Sequence, residues 1–260
     1  EKYQAFWDQF GKVMKEGPAE DFANKDKIAA LLRFASTRSE GDSESVSLDQ
    51  YLERMGENQD KIYYITADSL SAARNSPHLE IFRKKDIEVL LLTDRVDEWL
   101  MSHLTEYKDK KFQSVAKGEL DLGELDTEED KEKQEKAAEE HKSLLDQTRQ
   151  ALGDTVKEVR VSSRLTDSPA CLVVDDYDMS QNLARVLKQL GQDAPMPTPI
   201  MEINVEHPIV NRMEKETDDE RFAELAKLLY EQSLLAEGGQ LDDPAAFVHR
   251  LNKLMLDMSN

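Results

Sequence analysis

Along most of this chain apolar residues recur at helical spacing, and the places where they run together or alternate mark strands. Tyr3, Phe6, Trp7, Phe10, Val13 and Met14 share one helix face. A second helical pattern runs through Ile28, Leu31 and Leu32. Ser47 to Met55 reads as a short helix capped by Ser47, with Leu48, Tyr51, Leu52 and Met55 on one side. Ile62-Tyr63-Tyr64-Ile65 is rich in β-formers and predicts a strand. Ser69 to Arg74 predicts a helix, and Pro77 opens another through Leu79, Phe82 and Ile87. Val89-Leu90-Leu91-Leu92 is the continuous apolar run of a strand covered on both faces. Asp94 then reads as the cap of a helix carrying Val96, Trp99, Leu100 and Leu104. Strands alternating with helices predict a small parallel sheet with helices packed on it, an α/β domain over residues 1–116.

The pattern breaks over residues 117–141. From Asp126 to Glu140 nearly every residue is Asp, Glu, Lys, Gln or Ala, which predicts a solvated, partly helical linker. Beyond it, residues 142–260 predict a second, α+β domain. Val156, Val159 and Val161 suit one strand, Cys171-Leu172-Val173-Val174 another, and Met201, Ile203 and Val205 a third. Helices are expected at roughly 179–190, 218–237 and 244–258, so that the domain ends in a helix pair.

Composition narrows the classes open to such a chain. The 260 residues are 39% hydrophobic, enough for a core, and 34% charged. Lys and Arg total 34 against 54 Asp and Glu, a net charge of −20. A surface this acidic repels nucleic acid and anionic lipid, so neither is expected as a partner. The single cysteine, Cys171, excludes an internal disulfide and suits a reducing compartment. No apolar run is long enough to span a bilayer. The chain opens on Glu1 rather than Met, with no leader pattern and no cap before its first helix. That leads to the expectation that it is cut from something longer.

The widest apolar stripes lie on the last two helices. One carries Phe222, Leu225, Ala226, Leu228, Leu229 and Leu235 and ends at Gly238-Gly239. The other, with Asp243 as cap and Pro244 in its first turn, carries Phe247, Val248, Leu251, Leu254, Met255 and Met258. These faces pack either on their own domain or against a second copy, and their width favours the second copy. Met179, Leu183, Val186, Leu187 and Leu190 form a further stripe between two loop-like flanks, a pattern that is more often core than surface. Trp99 beside Asp97-Glu98 reads as half-buried packing. Chemistry-bearing motifs are missing. The sequence has no phosphate-cradling glycine loop, nucleophile elbow or His-Glu-x-x-His. His78, His103, His141, His207 and His249 are scattered, and Cys171 lies in an apolar strand. The acid pairs Asp175-Asp176, Asp218-Asp219 and Asp242-Asp243 stand before helices, where they complement the positive helix end.

An ordered set of strings resembles the ninety-kilodalton heat-shock chaperone family. They are Leu31-Leu32-Arg33-Phe34-Ala35-Ser36-Thr37, Ile62-Tyr63-Tyr64-Ile65-Thr66, Ser76-Pro77-His78-Leu79, Glu88-Val89-Leu90-Leu91-Leu92-Thr93-Asp94, Arg164-Leu165-Thr166-Asp167-Ser168-Pro169-Ala170 and Glu202-Ile203-Asn204-Val205-Glu206-His207-Pro208. The short acidic linker and the ending at the helix pair resemble the bacterial branch of that family.

The resemblance implies that residues 1–116 are the later part of the family's middle domain and 142–260 its C-terminal dimerisation domain. It implies a cytoplasmic, homodimeric chaperone that binds unfolded client proteins and works with co-chaperones. ATP and magnesium would belong to the full-length parent, so this chain itself would be no enzyme and hold no cofactor or metal. Glu98, Trp99, Met179, Leu183, Val186 and Leu187 match the client-binding positions, which the family places in the cleft between the two domains. That moves the Trp99 helix and the 179–190 stripe from packing to client surface. Phe222, Leu225, Leu229, Phe247, Leu251, Leu254, Met255 and Met258 would form the dimer interface. A module that only dimerises its parent, with clients held elsewhere, is the alternative.

Overall fold

A computed structural model describes residues 2–180, 183, 184, 187, 191 and 196–257. The chain divides into two compact units. The first comprises Glu1–Asn75, Phe82–Val115 and Asp121–Asp126, and the second Ser76–Ile81, Ala116–Leu120 and Thr127–Asn260. Among the described residues no helix is long and apolar enough to cross a membrane.

The first unit opens with α1 (Lys2–Met14), α2 (Gly17–Glu20) and α3 (Lys25–Leu31), then β1 (Ala35–Ser36) and α4 (Leu48–Glu53). Next come β2 (Lys61–Thr66), α5 (Leu70–Asn75), α6 (Glu80–Lys84), whose first two residues belong to the second unit, β3 (Leu90–Leu92), α7 (Asp97–His103), β4 (Glu106–Tyr107) and β5 (Lys110–Ser114). Its sheet has the order β1-β3-β2-β5-β4. The central strands β3, β2 and β5 are parallel, and β1 and β4 add antiparallel edges. All three leucines of β3 are buried, as a strand covered on both faces requires. Ser47 caps α4 in a reciprocal box: its hydroxyl accepts from Gln50 N, and Gln50 Oε1 accepts from Ser47 N.

Two features of this unit depart from the sequence reading. The β4–β5 hairpin went unread because its turn is Lys108-Asp109, both with positive φ, where a glycine or asparagine signal is usual. Asp94 does not cap α7. Its carboxylate faces Lys12 and Lys15 instead.

In the second unit α8 (Glu128–Glu140) and α9 (Lys142–Leu152) precede β6 (Glu158–Val161), β7 (Ala170–Val173) and β8 (Ile200–Ile203). Then follow α10 (Pro208–Glu214), α11 (Asp219–Ala236) and α12 (Pro244–Asp257). Within the stretch expected to be a solvated, partly helical linker, Glu128–Glu140 form the helix α8, capped by Thr127 and Asp130. Ala137 and Ala138 anchor it on the core of this unit. Within the same stretch Leu120 and Leu122 are buried, which gives it apolar anchors outside Asp126–Glu140. The helix α9 escaped notice because Leu144, Thr148 and Leu152, its buried positions, alternate with charged and amide residues.

The sheet of this unit has the order β6-β8-β7, with β6 parallel and β7 antiparallel to the central strand β8. Period-two alternation separates its faces. Val159, Val161, Ala170, Leu172, Met201 and Ile203 join the main core with Phe222, Ala226 and Leu229 of α11. Cys171, Val173 and Ile200 point the other way and meet Leu165. Glu202 shares this second face and is almost wholly buried. Its register partner on β6 is Arg160. Arg160 Nη2 donates to Glu202 Oε1 at 2.8 Å, and the fully buried Arg164 donates through Nε to Oε2 at 2.8 Å. Ser162 Oγ adds a third donor at 2.9 Å, and both arginines also reach the carbonyl of Gly118. Burial works against the Glu202 charge, but Arg164 and Arg160 hold its carboxyl below the usual glutamate range. Burial and the nearby Glu202 push the Cys171 thiol up, so it stays protonated and inert.

Replacing Glu202 with Gln keeps the shape and leaves the fully buried Arg164 and the half-buried Arg160 without their carboxylate. The expected loss at neutral pH is roughly 3–5 kcal/mol, read as a shift in the urea unfolding curve. Because the folded carboxyl titrates low, its contribution is present above the unfolded glutamate pKa and is lost as pH falls through the folded value. The gap between the two proteins therefore closes in acid. A loss under about 1 kcal/mol at pH 7 would mean that the cluster is not a coupled ion network.

Candidate interaction surfaces

The helix pair α11–α12 divides its apolar residues between inside and outside. Asp218 caps α11 by accepting from Arg221 N at 2.8 Å. One face of α11 lies on the sheet and buries Phe222, Ala226 and Leu229 in the core of its own unit, with Leu225 packed at the edge. Phe222 and Leu229, both expected at a partner interface, are therefore claimed by the protomer. The apolar face of β6-β8-β7 needs a cover, and α11 supplies it.

The second helix is different. Asp243 accepts from Ala246 N at 2.9 Å and starts α12. Phe247, Leu251 and Leu254 are half-buried. Val248, Met255 and Leu256 are exposed at 50%, 59% and 67%, and Leu235 of α11 at 44%. Leu225, Leu228 and Leu254 form the apolar floor of a groove between the two helices. Its rim is ionic: Lys253 Nζ pairs with Glu224 at 2.8 Å, and Arg250 engages Glu231 in a two-pronged bond whose Nε arm is 3.2 Å. These pairs hold α12 in register on α11, and its apolar outer residues are exposed. Val248 is named on the sequence stripe but is not among the expected interface residues, and Leu256 lies off the stripe. Met258 lies outside the described residues.

In the first unit, Leu100, Met101 and Leu104 anchor one side of α7 in the core and turn Trp99 outward. Trp99 is 41% exposed, its ring 4.8 Å from that of His103, and Glu98 beside it is half-buried. Ser102 Oγ donates to the Trp99 carbonyl at 2.7 Å.

The start of α7 is held by a buried cation. Lys15 is fully buried, and its Nζ lies 2.8 Å from Glu44, 2.9 Å from Asp94 and 2.9 Å from Asp97. The contact to Asp97 is close but not aligned as a hydrogen bond, while the other carboxylate oxygen of Asp97 accepts from Asp94 N at 2.8 Å. Trp7 Nε1 donates to Glu44 at 2.9 Å. The oxygens of Glu44, Asp94 and Asp97 converge as a metal site would require. Here the ammonium of Lys15 already supplies the counter-charge. Burial alone would pull the Lys15 pKa down, but Asp97, Glu44 and Asp94 together hold it above the ordinary lysine value. Burial pushes Asp97 up to about 6 against the pull of Lys15.

The remaining expected client residues lie in the second unit. Met179, Leu183 and Leu187 are half-buried, and Ala184 between them is fully buried. Val186 lies outside the described residues, as does Leu190. This segment is thus less open than a free apolar stripe, while Glu98 and Trp99 belong to the other unit.

Comparison with known proteins gives these surfaces a family. The family model described as Hsp90 protein matches residues 1–259. The chain belongs to that family. Chaperone protein HtpG of Aromatoleum aromaticum is 61% identical to it over 258 residues, 99% of this chain and 40% of the relative. The protein of the same name from Pseudoalteromonas translucida is 57% identical over 257 residues, again 99% of this chain and 40% of the relative. That from Nitrosococcus oceani is 58% identical over 259 residues, 100% of this chain and 41% of the relative. The chain therefore spans about 40% of the length of the curated relatives it matches.

The Lys15 cluster predicts a pH signature. The folded pKa of Asp97 lies above its unfolded value, so folding takes up a proton between about pH 4 and pH 6. Ionised Asp97 thus opposes folding above that window, and the penalty fades as pH falls through it. Asp97→Asn removes the penalty. The variant should equal or exceed the wild type at pH 7 by on the order of 2 kcal/mol and should lose the gain that the wild type shows between pH 6.5 and 4.5. Parallel stability curves for the two proteins would contradict this account of Asp97.

Proposed function

We propose that this chain is the later part of the middle domain and the dimerisation domain of an Hsp90 chaperone, and that it acts by binding rather than catalysis. The observation that carries the reading is the outward face of α12, where Val248, Met255 and Leu256 stand in water on a helix that ion pairs hold in register. An apolar face of this kind on a soluble protein marks a binding surface. A second copy of the same helix satisfies it, because a two-fold axis sets each such residue against its counterpart or near neighbours. Half-buried Phe247, Leu251 and Leu254 would complete the packing, as in a bundle of two helices from each protomer.

Client binding falls to the other exposed apolar groups. Trp99 offers a flat, amphipathic ring, with Glu98 beside it. Met179, Leu183 and Leu187, partly exposed and including a methionine, suit contact with varied apolar segments. Two such surfaces per dimer would raise the effective concentration of a client once one is engaged. Nucleotide binding and hydrolysis would belong to the remainder of the parent, and the setting would be cytoplasmic. The names of the relatives, all chaperones, support the class. The competing reading, a module that only dimerises, predicts no effect on client aggregation.

Val248→Glu combined with Met255→Glu tests the dimer. Placing carboxylates in an apolar interface costs several kcal/mol in order of magnitude, and each substitution acts twice. Sedimentation should report a monomer with unchanged helicity, whereas an unchanged sedimentation coefficient removes α12 from the interface. Trp99→Ser tests the client surface. It should weaken suppression of a thermally unfolding client in light scattering and shift stability by under about 0.5 kcal/mol. Full suppression in this variant would favour the dimerisation-only reading.

A further inference from the structure

Ser76–Ile81 is an excursion: Asn75 and Phe82 on either side belong to the first unit, but this segment belongs to the second. It is tied down by three kinds of contact. Glu80 fills a nest of donors, its carboxylate accepting from Thr166 N and Asp167 N at 2.7 Å and from Ser168 N at 3.1 Å, with Ser168 Oγ at 2.5 Å. Burial opposes the Glu80 charge, but these donors hold its carboxyl below the usual range. Ile81 N donates to the carbonyl of Arg164, whose side chain serves Glu202. The third contact reaches α11. His78, capped by Ser76 and fully buried, sets Nε2 2.9 Å from Glu237 Oε1, a close approach that is not aligned as a hydrogen bond.

Glu237 is the C-terminal cap of α11, where the turn of residues 238–243 towards α12 begins. There Gly238 N donates to Leu235 O at 3.0 Å and Gly239 N to Leu234 O at 2.8 Å, the paired bonds of a Schellman ending, with Gly238 at φ +74°. A side chain on Gly239 would run into Leu234. The turn is therefore fixed by its own backbone, and any constraint on Glu237 passes directly to the direction in which α12 leaves. Both ring nitrogens of His78 and Oε1 of Glu237 are buried without a hydrogen-bond partner among the described residues, and the 2.9 Å approach is the polar contact through which the ring meets the end of α11.

We propose that Ser76–Ile81 is a positioning strap for the terminal helix pair: Glu80 anchors it in the 166–168 nest, and His78 holds Glu237 and so aims α12. The strap rests on the reading of α12 as the self-association face. Neither His78 nor Glu80 lies on that face. Their effect on dimer affinity would pass through the end of α11.

The test compares the whole chain with His78→Phe, Glu237→Gln and the double variant. Phe fills the space of the imidazole without its polar nitrogens. Each single change should weaken the dimer about tenfold by sedimentation, and the double no more than either single, since both break one contact. Amides of residues 233–239 should exchange faster in all three. A purely stabilising role would lower the melting temperature and leave dimer affinity within twofold of wild type, and that result overturns the proposal, as do additive effects. If His78→Phe fails to fold, Glu80→Gln loosens the strap from its other anchor and is judged by the same two readouts. If the wild-type chain is itself monomeric, the dimer reading fails. Faster exchange over 233–239 in the variants then still supports the strap, and unchanged exchange rejects it.

Discussion

Small sheets create more apolar helix face than they can bury, and that constraint shapes the second unit. One face of β6-β8-β7 takes α9 and α11, with Phe222, Ala226 and Leu229 filling the space above Leu172, Met201 and Ile203. Once α11 has covered the sheet, α12 can pack only on what α11 leaves, chiefly the Leu225–Leu228 edge of the groove. The ionic rim then sets the register at small energetic gain, because exposed pairs contribute only a few tenths of a kcal/mol to about 1 kcal/mol each. The outer residues Val248, Met255 and Leu256 remain in water. Burying a side chain of this size yields about 1.5–3 kcal/mol, so a partner for this face would add several kcal/mol to the unit.

The opposite face of the same sheet and the start of α7 show a different use of charge. In each, ions of opposite sign meet in the interior in unequal number: Arg160 and Arg164 on the single Glu202, and Glu44, Asp94 and Asp97 around the single Lys15. Such clusters seldom exceed an apolar packing in net stability. What they do supply is geometry, since a misplaced partner leaves an unpaired charge in a dry interior. The Glu202 cluster also receives the carbonyl of Gly118, and the Lys15 cluster joins α1, the 44 loop and the first turn of α7. Trp99 thus projects from a helix whose start is fixed by ions and whose inner side is fixed by Leu100 and Leu104.

Local patterns were legible in the sequence, and long-range partners were not. Ser47, Pro77 and Asp243 were readable because capping and first-turn roles depend on neighbours a few residues away. The triple leucine of β3 announced a covered strand for the same reason. Asp94 was misread as a cap because nothing nearby reveals that Lys15, 79 positions earlier, takes its carboxylate. Glu202 looked like the polar member of an alternating strand, whereas Arg160 and Arg164 make it an interior group. Phe222 and Leu229 belong to a stripe whose width was evident, but periodicity cannot say whether a sheet or a second copy covers it. Leu256 emerges as an outer residue only once α11 has taken its side of α12, and Val248, already on the stripe, turns out to face the same way. The Ser76–Ile81 excursion has no local signature at all, since its assignment rests on contacts with residues near 165 and 237.

A second copy of this chain is the partner proposed for the outer face of α12. Hydrogen exchange of the α12 amides as a function of protein concentration tests it without any substitution, because a dimer contact protects those amides by mass action. Slower exchange over residues 247–257 at high concentration, with exchange in β2 and β3 of the first unit unchanged, is the predicted result. Exchange over α12 that is fast and independent of concentration would contradict it.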